Sequence, residues 1–162
     1  MFPKIFSLML LLFCKQSYAQ KHVDIIVGTS LETNYTGYNI SLNSTFVYSK
    51  SAIGVGVNYN LSDGFINNPV IGFEFDYKYK IVDNKKWSSW VGGDYFHQKP
   101  INNLNIDALF YTFTQKLNLL NNFFLVNHLG YGVAIESTKL SGRKVTSNSI
   151  TGLFNLGCEY QF

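Results

Sequence analysis

Val70-Ile71-Gly72-Phe73-Glu74-Phe75-Asp76-Tyr77-Lys78-Tyr79-Lys80-Ile81-Val82 alternates without a break. Ile71, Phe73, Phe75, Tyr77, Tyr79 and Ile81 fall on one face, and Gly72, Glu74, Asp76, Lys78 and Lys80 on the other. Side chains of a β-strand point alternately to opposite faces, so a period of two over this length specifies a strand between two different solvents. The same period recurs along the chain. Ile53, Val55, Val57, Tyr59 and Leu61 oppose Gly54, Gly56, Asn58 and Asn60. Leu125, Leu129, Tyr131, Val133 and Ile135 oppose His128, Gly130, Gly132 and Glu136. Ile150, Phe154, Leu156, Cys158, Tyr160 and Phe162 oppose Asn155, Gly157, Glu159 and Gln161, with Gly152 as the exception on the apolar side. Val23, Ile25, Val27 and Leu31, and then Tyr38, Ile40, Leu42, Phe46 and Tyr48, alternate less cleanly with polar or small residues.

Segments 86–97 and 103–116 are strand-like but ambiguous in phase. A bulge near Leu109-Phe110 would switch the apolar face from Leu104, Ile106 and Ala108 to Leu109, Tyr111 and Phe113. Eight strands are thus expected, at about 22–32, 37–48, 51–61, 69–82, 86–97, 103–116, 122–136 and 148–162. Strands of about 10–12 residues suit a tilted membrane crossing. Connections near 33–36, 49–50, 83–85 and 117–121 are short, and those near 62–68, 98–102 and 137–147 are longer and polar.

The first nineteen residues read differently. Lys4 precedes an apolar core from Ile5 to Cys14, and Ser17-Tyr18-Ala19 fits a signal-peptidase site before Gln20. Ten apolar residues are too few for a spanning helix. Phe13 is bulky where a lipoprotein signal wants a small residue before Cys14, so lipidation is not expected. The expected organisation is a signal peptide, 1–19, and one barrel domain, 20–162. Without Lys4 and Lys15 the mature chain holds 11 basic against 10 acidic residues and a single cysteine, Cys158. That composition excludes a strongly basic nucleic-acid binder and a disulfide scaffold. With 17% aromatic and 14% charged residues the chain is also no disordered segment.

Alternation alone also fits a soluble, lipocalin-like barrel with its apolar face inside. Two features favour the inverse. The polar face is crowded with small residues, among them Gly28, Gly54, Gly56, Gly72, Gly130, Gly132 and Gly157, as the inside of a narrow barrel requires. Aromatics gather at strand ends: Tyr48, Tyr79, Trp87, Phe123, Tyr160 and Phe162 on the short-turn side, and Tyr38 and Tyr59 on the other. Such a double girdle marks a membrane barrel. The fold class expected is therefore all-β: an eight-stranded antiparallel up-and-down transmembrane barrel.

The closing run Phe154-x-Leu156-x-Cys158-x-Tyr160-x-Phe162 ends on an aromatic residue. It resembles the C-terminal signal through which the barrel assembly machinery recognises Gram-negative outer-membrane proteins. With the signal peptide, the chain resembles the small eight-stranded barrels of the OmpX and OmpA transmembrane-domain type, and its Asn- and Lys-rich composition resembles Bacteroidota exports. The resemblance implies a Gram-negative outer-membrane location, contact with lipopolysaccharide and a structural or interaction role in the envelope.

No phosphate loop, metal cluster or paired-Cys motif is present in the sequence, and no cofactor is expected. His22, His97 and His128 share no ligand spacing. Lipid A deacylases of this architecture carry His-x-Ser on a late strand. Here Gly130 follows His128-Leu129 where that serine would stand, so no enzyme is expected. The polar face should hold an interior charge network of Asp24, Glu74, Asp76, Lys78, Lys80, Glu136 and Glu159, with Lys80 level with Asp24 and Glu159. Charges in a narrow barrel must be paired, and eight strands leave no porin-sized lumen. Arg143 and Lys144 are candidates for lipopolysaccharide phosphates. A narrow ion path, a lipid A-modifying enzyme and an accessory subunit of an envelope complex are the alternatives to a structural role.

Overall fold

The computed structural model describes residues 23–62, 70–101, 103–140 and 143–162. The leader and cleavage site expected over 1–19, His22 and most of the loop expected at 62–68 lie outside the described residues. The strands are β1 (Asp24–Asn34), β2 (Gly37–Tyr48), β3 (Ser51–Asn60), β4 (Val70–Asp83), β5 (Trp87–Ile101), β6 (Leu104–Leu120), β7 (Phe123–Leu140) and β8 (Arg143–Gln161). Each pairs antiparallel with the next, and β8 closes on β1 from Ile26↔Gln161 to Thr33↔Phe154. Ser49 and Asn122 take left-handed backbone in the tight turns that join β2 to β3 and β6 to β7.

The barrel is inside out relative to a soluble one. Phe73 is 61% exposed on the outer wall, whereas Lys78, five residues on, is 7% exposed in the lumen. Most of the other buried side chains are polar too. Burying lysine inside while presenting phenylalanine outside is stable only if the outside is hydrocarbon.

The register fixes the geometry. Pairing followed outward from Gly28 passes Asn43, Gly56, Glu74, Phe96, Ala108 and Ala134 to Ser149, while Gly28 also pairs directly with Glu159, ten residues further along β8. That stagger corresponds to strands tilted by about 40°. Allowing for it, outward aromatics form two belts. Tyr48, Trp87, Phe123 and Phe162 mark the side of the termini, and Tyr38, Tyr59, Tyr95 and Tyr131 mark the other. Eight to ten residues of tilted strand separate them, roughly 20–25 Å along the membrane normal at ~3.3 Å per residue.

Three expectations need correction. There is no bulge at Leu109-Phe110: the β5–β6 register runs unbroken from Gln98↔Ile106 to Trp87↔Leu117. Ile106, Ala108 and Phe110 therefore point inward, and Leu109, Tyr111 and Phe113 outward. The register shifts instead lie at Lys80/Val82, Gln98/Ile101 and Asn118/Leu120. The second spans Pro100, which has no N–H to give the ladder. The long loops expected at 98–102 and 137–147 are mostly strand, as is 117–120. β5 to β8 project beyond the second belt, where both faces meet water, so the polar/apolar alternation that identifies a strand disappears there. Thr138, Val145 and Thr146 still favour extended backbone.

Close strand packing requires some of the inward glycines. A Cβ on Gly132 would lie 1.9 Å from the Leu109 carbonyl oxygen, whereas one on outward Gly152 would come no nearer than 3.7 Å to the Gly130 carbonyl oxygen. Gly132→Val should therefore abolish the compact, faster-migrating band of unheated protein on a gel, a loss above about 3 kcal/mol. Gly152→Ala should keep that band and change stability by less than about 1 kcal/mol.

Candidate functional site in the barrel lumen

The lumen is built in layers. Nearest the termini, Ile26, Val47, Ala52 and Trp90 form an apolar cluster. The Trp90 indole donates to Ser88 Oγ at 3.0 Å. Two ammonium groups approach its ring, Lys80 Nζ at 5.0 Å and Lys116 Nζ at 5.5 Å from the centroid, both within cation–π range. Lys116 also pairs with Glu159, both side chains 5% exposed. Outside this layer a vestibule of about 230 Å³, lined by Asp24, Lys80, Asp83, Lys85 and Trp87 among others, opens toward the termini.

In the middle, Asp76 and Lys78 pair at 3.2 Å along one face of β4. Gly54 opposite makes room, since a Cβ there would fall 2.0 Å from Asp76 Oδ2. Asp94 from β5 meets His128 Nε2 from β7 at 2.6 Å, and Thr114 Oγ1 from β6 lies 2.5 Å from His128 Nδ1. Thr112 Oγ1 donates to Asp94 at 3.3 Å. Thr114, His128 and Asp94 thus stand in the order of a nucleophile, base and acid. Thr114 is 1% exposed, and it does not line the adjoining cavity of about 40 Å³ that His128 and Asp94 border. The trio ties three strands together; it does not present a nucleophile to a substrate.

Toward the other end the polar groups become mostly uncharged. Asn58 Nδ2 donates to Glu74 at 2.9 Å, Gln98 Nε2 reaches Asn58 Oδ1 at 3.3 Å, and Asn60 Nδ2 donates to Asn39 Oδ1 at 3.0 Å. Glu32 accepts from Asn34. Beside them Phe96, Ala108, Phe110, Ala134 and Leu153 form a second apolar cluster, capped by Tyr35. The Tyr35 hydroxyl, in the β1–β2 turn, donates to Glu136 at 2.8 Å, and that carboxylate raises the phenol above its ordinary pKa.

The seven charged residues expected inside occupy lumen-facing positions, but two of the expected contacts are absent. Lys80 pairs with Asp83 at 3.0 Å and not with Asp24 or Glu159, because the shift after Lys80 brings Asp83 back within reach. Glu159 takes Lys116 instead. Lys116 and Asp94 lie on the two segments of ambiguous phase, and Glu32 continues the inward series Asp24, Gly28 and Ser30. Counting alternate positions forward from Thr114 and from Gly92 would have found the first two.

Of the proposed aromatic girdle, Tyr79, Trp87, Tyr160 and Phe162 are exposed on the outer wall, and Tyr48 and Phe123 are half-buried there. Tyr160 and Phe162 meet edge to face at 4.9 Å. Arg143 and Lys144 are exposed at the start of β8, beyond the second belt. The sequence reading missed an outward polar group at that belt: Asp107 accepts from Tyr95 at 2.6 Å and meets His97 Nδ1 at 2.8 Å. Among the described residues no group of three or more His, Cys, Asp or Glu is placed to hold a metal ion.

Breaking the Lys116–Glu159 pair should destabilise the barrel more than removing it. Lys116→Met alone leaves a buried carboxylate and should cost about 3–5 kcal/mol, while Lys116→Met with Glu159→Leu should recover most of that. Urea titration of the folded gel band in liposomes measures both.

No protein family matches the chain. No curated protein matches it either. Solved structures do. The N-terminal β-barrel domain of Pseudomonas aeruginosa OprF superposes with a TM-score of 0.59 at 11% identity, covering 88% of this chain and 100% of that one. P. aeruginosa outer membrane protein H gives 0.56 at 12% identity, covering 87% and 100%. A de novo designed transmembrane β-barrel gives 0.56 at 11% identity, covering 88% and 98%. At such identities the likeness is one of fold: this chain is an eight-stranded barrel of the outer-membrane type.

Proposed function

We propose that this chain is an integral outer-membrane β-barrel of a Gram-negative bacterium, with a structural or interaction role in the envelope and no large open pore. The observation that carries the reading is the pairing of an apolar, aromatic-belted outer wall with a lumen filled by side chains. Two apolar clusters and the Lys116–Glu159 and Asp94–His128 pairs occupy the cross-section where a porin would hold water. Export through residues 1–19, insertion through the strand ending in Phe162, and contact of Arg143 and Lys144 with lipopolysaccharide phosphates belong to the same reading. Arg143 and Lys144 stand exposed at the tip of the β7–β8 hairpin, beyond the outer aromatic belt, where anionic lipopolysaccharide phosphates would attract them.

A narrow ion path is the second reading, and one observation favours it. The cavity of about 40 Å³ is bordered by Glu32, Glu74, Asp76, Asp94 and Glu159 against Lys78 and His128, and it has room for a few waters. Fractionation should place the protein in the outer membrane with heat-modifiable migration. Purified protein in planar bilayers should show no conductance of general-porin size. Small cation-selective steps would move the assignment to the second reading. A soluble periplasmic protein with ordinary migration would overturn both.

A further inference from the structure

Among the described residues the outer wall carries one adjacent pair of side-chain amides at the middle of its apolar band. Gln115 on β6 and Asn127 on β7 are direct register partners. Their chain neighbours Thr114, Lys116, Val126 and His128 are all buried in the lumen, so alternation turns both amides outward. Asn127 lies four residues from Phe123 in one aromatic belt and four from Tyr131 in the other, at the middle of the apolar band. Phe113, Leu117, Leu125 and Leu129 surround the pair. Gln115 is exposed and makes no side-chain hydrogen bond among the described residues, and Asn127 is half-buried, its Oδ1 turned inward and without a partner. Polar groups facing lipid at this depth are costly, and side-chain amides there serve as contacts between membrane segments.

Resting on the transmembrane reading above, we propose that the β6–β7 face is a dimer interface, with a second copy of this chain as its occupant. The argument for a second copy is self-complementarity. A carboxamide has two donors and one carbonyl acceptor. A two-fold axis between Gln115 and Asn127 sets Gln115 of one copy against Asn127 of the other, twice over, so that each Asn127 Nδ2 can donate to the Gln115 Oε1 of the other copy. A lipid chain satisfies none. A different barrel would need its own matching amides. The leucines and Phe113 around the pair supply the packing surface.

The test is cysteine cross-linking in vesicles and in native membranes, in a Cys158→Ala background because Cys158 lies close to this face. Leu129→Cys reports on the proposed interface, and Val55→Cys, on the far side of the barrel, is the control. Folding of every variant is followed by heat-modifiable migration. The expected result is a disulfide-linked dimer from Leu129→Cys and none from Val55→Cys. Adding Gln115→Leu and Asn127→Leu should cut that yield about tenfold with the folded band retained, the scale of hydrogen bonds between membrane segments. A folded monomer, equal cross-linking at both positions, or a dimer indifferent to the two leucines would overturn the interface and leave the barrel intact. A soluble unsubstituted protein with ordinary migration would instead overturn the transmembrane reading on which the proposal rests.

Discussion

Hydrocarbon offers no partner to a backbone N–H or C=O, so a sheet that crosses it must close on itself. Most of what distinguishes this chain follows from that constraint. Closure with eight strands and a stagger of ten residues fixes a narrow cylinder. The narrowness in turn selects the inner side chains. Glycine is required where walls approach, as at Gly132, and where a bulky neighbour needs the space, as Asp76 does above Gly54. A wider barrel would impose neither demand and would carry water instead.

The lumen then has to accommodate charge in a confined space. It does so with short-range pairs rather than one continuous network. Asp76–Lys78 and Lys80–Asp83 are each made within β4. Lys116–Glu159 reaches from β6 to β8, and Asp94–His128 from β5 to β7, each passing over the strand between. The cross-barrel pairs are the ones that resist flattening of the cylinder, since they span its section where ladder hydrogen bonds run only around the wall. Trp90 adds a flat ring that both Lys80 and Lys116 approach within cation–π range, so one π-system offsets part of the repulsion between two like charges.

How legible this was depended on whether both solvents touched the segment in question. Val70–Val82 faces lipid on one side and a charged lumen on the other, so its phase is plain from the residues. The inward series of β6 is Ile106, Ala108, Phe110, Thr112, Thr114 and Lys116, half of it apolar because it packs on the cluster around Leu153. There both faces are apolar, alternation is lost, and Lys116 could not be placed. The same loss, with polar residues on both faces, concealed the ends of β7 and β8. The charge pairs were less legible still. Which lysine meets Glu159 depends on stagger and on the shift after Lys80, both of them properties of the assembled ring.

The place where closure stops fits the same constraint. β8 has nineteen residues, yet its described pairing with β1 ends at Thr33↔Phe154, level with the aromatic belt of Tyr59 and Tyr131. Beyond it, residues 143–153 pair only with β7 among the described residues. An open edge of that length would be untenable in lipid. In water its backbone groups are solvated, and Arg143 and Lys144 at its tip disfavour sheet extension by another chain. Turn chemistry sets where the strands end, but the membrane boundary sets where the ring must be complete. The hairpin of β7 and β8 continues into solvent because nothing there requires it to close.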